Sequence, residues 1–317
     1  MTPLEGILVV DKPQGPTSHD VVEEVRRATG GLRVGHAGTL DPMATGVLPL
    51  LIGRATRLSR FLMASRKVYE GTLRLGVATD TYDIEGRIVG ESPVPDEVRE
   101  AVPGAVGRLT GPLMQTPPPY SARKVGGQRL HRLARRGVPV TPEPSAVTVF
   151  RFDILELDGV MVRFEVETSP GTYVRSLAHD LGADLGCGAC LSRLRRLASG
   201  SLRVDAAHGI EEIRSRADDG TLGEIVIPLS RIDLGLATVT VTPAGLAAMR
   251  FGRRLTGRDL TGAGMPEGGP VRVEDEAGNL LGVALPALDP QDGEILRPHV
   301  VLIAEPELPF TSREDGC

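Results

Sequence analysis

The chain has 317 residues, 41% hydrophobic and 24% charged, which gives about two globular domains and excludes a low-complexity class. Three cysteines exclude a disulfide framework, no apolar run approaches the roughly 18 residues that span a bilayer, and Met1–Glu5 lacks a signal-peptide pattern, so a cytoplasmic protein without a membrane partner is expected. The net charge of −5 is uneven: Ile225–Cys317 holds eight basic and thirteen acidic residues, so the first 224 residues are neutral overall. Within them, Tyr120–Gly137 carries Arg123, Lys124, Arg129, Arg132, Arg135 and Arg136 with no acid, a patch suited to phosphate.

In chain order, Gly6–Val10 reads as a strand that ends in the turn-rich Asp11-Lys12-Pro13-Gln14-Gly15-Pro16. Thr17 and Asp20 then have the spacing of a capping box, opening a helix with Val21, Val22, Val25 and Ala28 on one face. Gly35–Gly46 follows, with three glycines, one proline, one histidine and one carboxylate in twelve residues. That content predicts a shaped loop projecting Asp41, which serves as a nucleophile or base, or as a plain turn-former before Pro42. Val47–Ile52 reads as buried and Thr56–Met63 as helical. Lys67–Leu75 alternates as a half-buried strand, with Tyr69, Gly71, Leu73 and Leu75 on one face.

A strand near Arg87–Val89 follows the Glu85-Gly86 corner, and a helix is predicted around Asp96–Ala101. Pro117-Pro118-Pro119 opens, and Val138–Ser145 closes, a long basic insertion. Val147–Leu157 and Val160–Glu167 flank Asp158-Gly159, a hairpin signal. Ser169-Pro170-Gly171-Thr172 leads into a helix with Val174, Leu177, Ala178, Leu181 and Leu185 on its apolar face. Arg175 falls in its first turn, where the macrodipole disfavours a cation, which marks either a residue that a site needs or an ordinary surface arginine paired with a nearby acid. A further helix is predicted over Leu191–Ala198, carrying Arg193, Arg195 and Arg196. A linker between Arg214 and Glu224 then precedes a small β-rich domain. That domain has a helix at Pro243–Arg250, capped by Thr242, and strands at Val271–Val273, Leu280–Ala284 and Val300–Ile303.

Cys187 and Cys190 lack the second ligand pair of a zinc site, and the six histidines are scattered. No Gly-Lys-Ser/Thr follows the glycine-rich loop and no GxGxxG follows the first strand, so neither nucleotide motif is present. A carboxylate, a cleft-edge tyrosine, a first-turn arginine and a basic arm suit cofactor-free chemistry on a polyanion.

Gly35-His36-Ala37-Gly38-Thr39-Leu40-Asp41-Pro42-Met43-Ala44-Thr45-Gly46-Val47-Leu48 resembles the signature of the bacterial tRNA pseudouridine-55 synthases, the TruB family. Lys12–Ser18 resembles that family's first motif, Lys67-Val68-Tyr69 its tyrosine motif and Gly171–Leu177 its arginine motif. Tyr120-Ser121-Ala122, with Lys124, Gly127, Arg129 and Leu130, resembles its thumb, the arm that clamps RNA. The matches run in family order from about Gly6 to Gly200.

The resemblance implies an α+β fold with a mixed, largely antiparallel sheet over 1–224, interrupted by a thumb-like arm at about 117–146. A weaker likeness implies a PUA-like RNA-binding domain over 225–317. The implied reaction is isomerisation of uridine 55 in the tRNA T-arm to pseudouridine, with no cofactor, metal or guide RNA. Asp41 is then the catalytic carboxylate, attacking sugar or base or removing a sugar proton. Arg175 should pair with it and hold its pKa down, and Tyr69 should stack on the flipped uracil. His36 should fill the vacated stack and Leu194 line the uracil pocket; Tyr173, Lys124 and Arg129 complete the substrate-binding set. A monomer is the default expectation. A tRNA-folding chaperone needing only RNA binding is the reading from another class.

Overall fold

The structure, a computed structural model, describes residues 4–121, 123–125, 128–129, 142–262, 265–266 and 268–303. The chain divides into two compact units, Met1–Val226 and Ile227–Cys317. Strands of the first are β1 (Gly6–Lys12), β2 (Val34–His36), β3 (Thr45–Ile52), β4 (Lys67–Leu75), β5 (Val77–Thr79), β6 (Ile88–Glu91) and β7 (Gly111–Gln115). After them come β8 (Lys124–Val125), β9 (Gln128–Arg129), β10 (Ser145–Asp158), β11 (Met161–Thr168), β12 (Ala189–Ser199) and β13 (Leu202–Arg203). Helices described in this unit are α1 (Ser18–Ala28), α2 (Ser59–Met63), α3 (Asp96–Arg108), α4 (Val174–Asp184) and α5 (Ile210–Asp218).

One large sheet runs β1-β3-β12-β4-β11-β10-β7, with β2 beside β3 and β13 beside β12. Its pairings are antiparallel except that of β12 with β3, which is parallel. This is the mixed, largely antiparallel α+β sheet expected. Apolar faces of α1 (Val21, Val22, Val25), α3 (Val102, Ala105, Val106) and α4 (Leu177, Ala178, Leu181) share one core with Leu8, Leu50, Leu73 and Phe164. The capping box forms as read: Asp20 N donates to Thr17 Oγ1, while Thr17 N donates to the Asp20 carboxylate. On β4, Tyr69, Gly71, Leu73 and Leu75 share the buried face. The predicted hairpin forms with its turn one residue later than read: Asp158 ends β10 and pairs with Met161, so the turn is Gly159-Val160.

Two expectations fail. Leu191–Ala198 is no helix but most of β12, which lies between β3 and β4 in the middle of the sheet. Register shifts at Leu191/Arg193 and Arg196/Ala198 break its two-residue alternation, so the apolar positions fall at helix-like spacing. Nor is 214–224 a linker. Most of it lies in α5 and a 3-10 turn at Leu222–Ile225, with Ile213 and Leu222 in the core and Arg214 paired to Glu24 of α1 at 2.5 Å.

Among the described residues Tyr82 is the one non-glycine with left-handed φ, at 67°. An aromatic residue there carries strain on the order of 1–3 kcal/mol, which persists only where its surroundings hold it. Lys124 and Arg129 are register partners in the β8–β9 backbone pair. Arg132, Arg135 and Arg136 lie outside the described residues.

The second unit has a sheet of Leu260–Thr261, Ala237–Val241, Val271–Glu274, Leu280–Asp289 and Gly293–Val301, in that order. Thr242 caps the helix Pro243–Arg250 beside it. Arg254, one of its basic residues, is paired with Asp289 and Asp292.

Candidate active site

Asp41 sits in the loop between β2 and β3, and that loop is pinned from three elements. The Ser18 hydroxyl of α1 accepts from Leu40 N at 2.8 Å and donates to Leu40 O at 3.0 Å. Lys12, wholly buried at the end of β1, donates its ammonium to the carbonyls of Pro13 (2.9 Å), Pro42 (3.2 Å) and Ala44 (2.7 Å). Arg196 of β12, equally buried, donates to the carbonyls of Val47 (2.6 Å) and Gly38 (3.1 Å). The loop passes so close to β12 that a Cβ on Gly46, at φ +96°, would lie 2.2 Å from the Arg196 carbonyl oxygen. Only glycine fits there.

A loop held this way presents Asp41 to α4. The start of α4 is fixed by Gln115, whose amide side chain accepts from Tyr173 N (2.8 Å) and donates to Tyr173 O (3.1 Å). Arg175, in the first turn, is buried, and its Nε lies 2.9 Å from Asp41 Oδ2. Its Nη1 donates to Thr81 O (3.0 Å) and Asp83 Oδ2 (3.2 Å), and its Nη2 to Tyr120 O (2.8 Å). Asp83 is as buried as the arginine, whereas 38% of the Asp41 side chain remains exposed. One guanidinium thus satisfies an inner carboxylate and leaves the outer one open to a ligand.

The electrostatics differ from expectation. The ion pair is present, and Arg175 does favour the charged form of Asp41. Burial, the largest influence, pushes the carboxyl above the usual carboxylate range, and the Asp83 charge pushes the same way. The net direction is up. Burial likewise lowers the Lys12 ammonium to about 8, against the pull of Asp41. His36, at the end of β2, is pushed down by burial and by Arg196, so its ring is neutral at pH 7.

Tyr69 and Leu194 lie on neighbouring strands, β4 and β12, each about nine-tenths buried. The register puts Gly46, Arg196 and Tyr69 in one row across β3, β12 and β4, with Leu194 two residues up from Arg196. Tyr173 caps α4 and is half-buried. Asp41 and Arg175 therefore meet directly, and Lys124 and Arg129 are placed only by their strands. Sequence reasoning passed over Asp83, Arg196 and the role of Lys12. The signal for Lys12 is a cation closing an apolar run; Asp83 had none beyond its place in the Thr79–Arg87 turn.

Comparison with known proteins agrees with this architecture. Residues 26–174 match the TruB family pseudouridylate synthase N-terminal domain, and residues 175–232 match the tRNA pseudouridylate synthase B C-terminal domain. The tRNA pseudouridine synthase B of Solibacter usitatus is 44% identical over 79% of this chain and 85% of its own. That of Syntrophus aciditrophicus is 42% identical over 89% of this chain and 91% of its own. Among solved structures, an archaeal box H/ACA sRNP Nop10-Cbf5 complex aligns with TM-score 0.72 and 25% identity, covering 95% of this chain and 87% of that one. The chain therefore belongs to the TruB family of pseudouridylate synthases.

Proposed function

We propose that this enzyme isomerises the uridine at position 55 in the T-arm of tRNA, with Asp41 as the catalytic carboxylate. Membership of the family makes the chain a tRNA pseudouridine synthase, an isomerase. The finer reading is supported above all by the half-open carboxylate of Asp41, 2.9 Å from Arg175 in a loop that three elements immobilise. A base must leave its stack to reach such a carboxylate, at a few kcal/mol. The N1–C1′ bond then breaks and the uracil turns. C5 joins C1′ and gives up its proton, and N1 takes one up, so no atom is gained or lost.

Asp41 is the anion that engages the nucleoside, as nucleophile on carbon or as base on a sugar proton. Tyr69 stacks on the uracil, Leu194 lines its pocket, and His36, neutral at pH 7, occupies the gap left in the RNA. Tyr173 stands at the pocket edge beside Arg175. Lys124 and Arg129, with the rest of the arm at about 117–146, bind T-arm phosphates. The unit from residue 225 onward acts as a PUA-like RNA-binding domain.

Purified enzyme incubated with an isolated T-arm hairpin, without guide RNA or other protein, should form pseudouridine at the position equivalent to 55. Asp41→Asn should lose at least about a thousandfold in rate while hairpin affinity stays within a few-fold. Near wild-type turnover in that variant removes Asp41 from the mechanism, and a requirement for added guide RNA removes the stand-alone reading.

A further inference from the structure

The strained residue Tyr82 lies between the two groups that grip the arginine. Thr81 O and Asp83 Oδ2 converge on one nitrogen, Arg175 Nη1, from either side of it. A left-handed residue between them reverses the chain, which lets a carbonyl and a following side chain face the same point. The turn is tied at several other places. Tyr82 N donates to Thr79 O at 3.3 Å, and Tyr82 O accepts from Leu191 N at 3.0 Å. The Asp83 carboxylate accepts from Thr81 Oγ1 at 2.6 Å and from Glu85 N at 3.2 Å.

The ring of Tyr82 lies flat on His179, with centroids 3.9 Å apart and planes 9° from parallel. His179 belongs to α4, four residues after Arg175, so both project from one face of that helix. The helix that carries the arginine also carries the ring that pins the turn holding the arginine.

We propose that Tyr82 and His179 are positioning residues for the isomerisation: their stack holds the strained 81–83 turn, so that Thr81 and Asp83 fix the Arg175 guanidinium against Asp41. This inference rests on the reading of Asp41 as the catalytic carboxylate. Neither ring touches the reacting atoms. The charged groups that face Asp41 are Arg175 from α4, Asp83 from the turn and Lys12 from β1. Loosening the turn weakens the Arg175 contact and leaves the carboxylate less favoured, so the acid limb of the rate profile moves to higher pH.

The test is single-turnover pseudouridine formation as a function of pH, together with hairpin binding, in His179→Ala, His179→Phe, Tyr82→Gly and Tyr82→Phe. His179→Ala removes the partner ring, and Tyr82→Gly removes ring and strain together. Each should slow the step at saturating hairpin about tenfold, with affinity within about twofold and the acid limb moved up. His179→Phe and Tyr82→Phe keep a stack and should keep both rate and limb, which a role in polar contact with RNA would not produce. A role in bulk stability alone would leave the acid limb of His179→Ala in place. If Tyr82→Gly fails to fold, the His179 pair decides alone. A wild-type rate and limb in His179→Ala, a loss that His179→Phe does not restore, or a loss confined to affinity overturns the proposal. Such a result leaves Asp41 in place, whereas Asp41→Asn turning over like wild type overturns the reading beneath it.

Discussion

Lys12, Arg196 and Arg175 are all buried cations that contact the Asp41 loop or its ends, yet they use their charge differently. Lys12 and Arg196 point at backbone carbonyls, five between them, and so fix the path of the loop. Arg175 points at two carboxylates and two carbonyls, and so sets the charge at the half-open carboxylate proposed to meet the substrate. A cation spent on carbonyls builds a frame, whereas one spent on carboxylates tunes an acid.

The contrast is open to attack by substitution. Arg175→Met leaves Asp41 and Asp83 facing each other without a cation. It should lower the single-turnover rate by at least about a hundredfold and destabilise the fold by about 3–5 kcal/mol in a urea melt. Gly46→Ala pushes a methyl against the Arg196 carbonyl at an unfavourable φ. A stability loss of about 3 kcal/mol is expected, and a variant as stable as wild type would show that the frame yields.

Lys12→Met strips three carbonyls, that of Ala44 in a buried bond, of their donor and should destabilise by about 2 kcal/mol. Folded Lys12 releases its proton at about 8, but the unfolded chain holds it to the ordinary 10.5. Between those values the unfolded state binds more protons, so raising pH favours the folded wild type. The stability gap between wild type and Lys12→Met should therefore widen as pH rises through that window, and a constant gap would mean that the ammonium is not strained by burial.

Asp83→Asn gives the smallest effect. The amide keeps an oxygen for Arg175 but removes a neighbouring negative charge. On the proposed reading, in which Asp41 works as the anion, the acid limb of the rate profile should therefore move to lower pH. If Lys12→Met moved the limb as far as Asp83→Asn does, frame and tuning cation would not be separable.

The sequence was legible wherever local rules and burial agreed. Thr17 and Asp20 announced α1, the alternation through Tyr69 announced β4, and Asp158-Gly159 announced the long hairpin. The glycines and proline around Asp41 announced a shaped loop, and Arg175 stood out because a first-turn cation goes against the helix dipole. What stayed hidden depends on partners far along the chain. Two bulges disguised β12 as a helix. Arg196 on that strand stood as one of three arginines on a predicted helix, because nothing local reveals a wholly buried guanidinium. Asp83 was likewise passed over, since its partner is 92 positions away. The direction of the Asp41 shift was misjudged for a related reason: the sequence showed the arginine, but not the burial or the second carboxylate that outweigh it.

The bonds from Arg196 to Val47 and Gly38 span 149 and 158 residues. Contacts so distant form late, because closing a long loop must precede any gain from the contact. On the ribosome β1 through β4 emerge well before β12, and domains fold as their chain becomes available. The Asp41 loop therefore acquires its frame only once residues 189–199 have been made. On the proposed reading of Asp41, the carboxylate becomes competent near the end of synthesis of the first unit, so a nascent or truncated chain ending before β12 has the acid but not its complete frame.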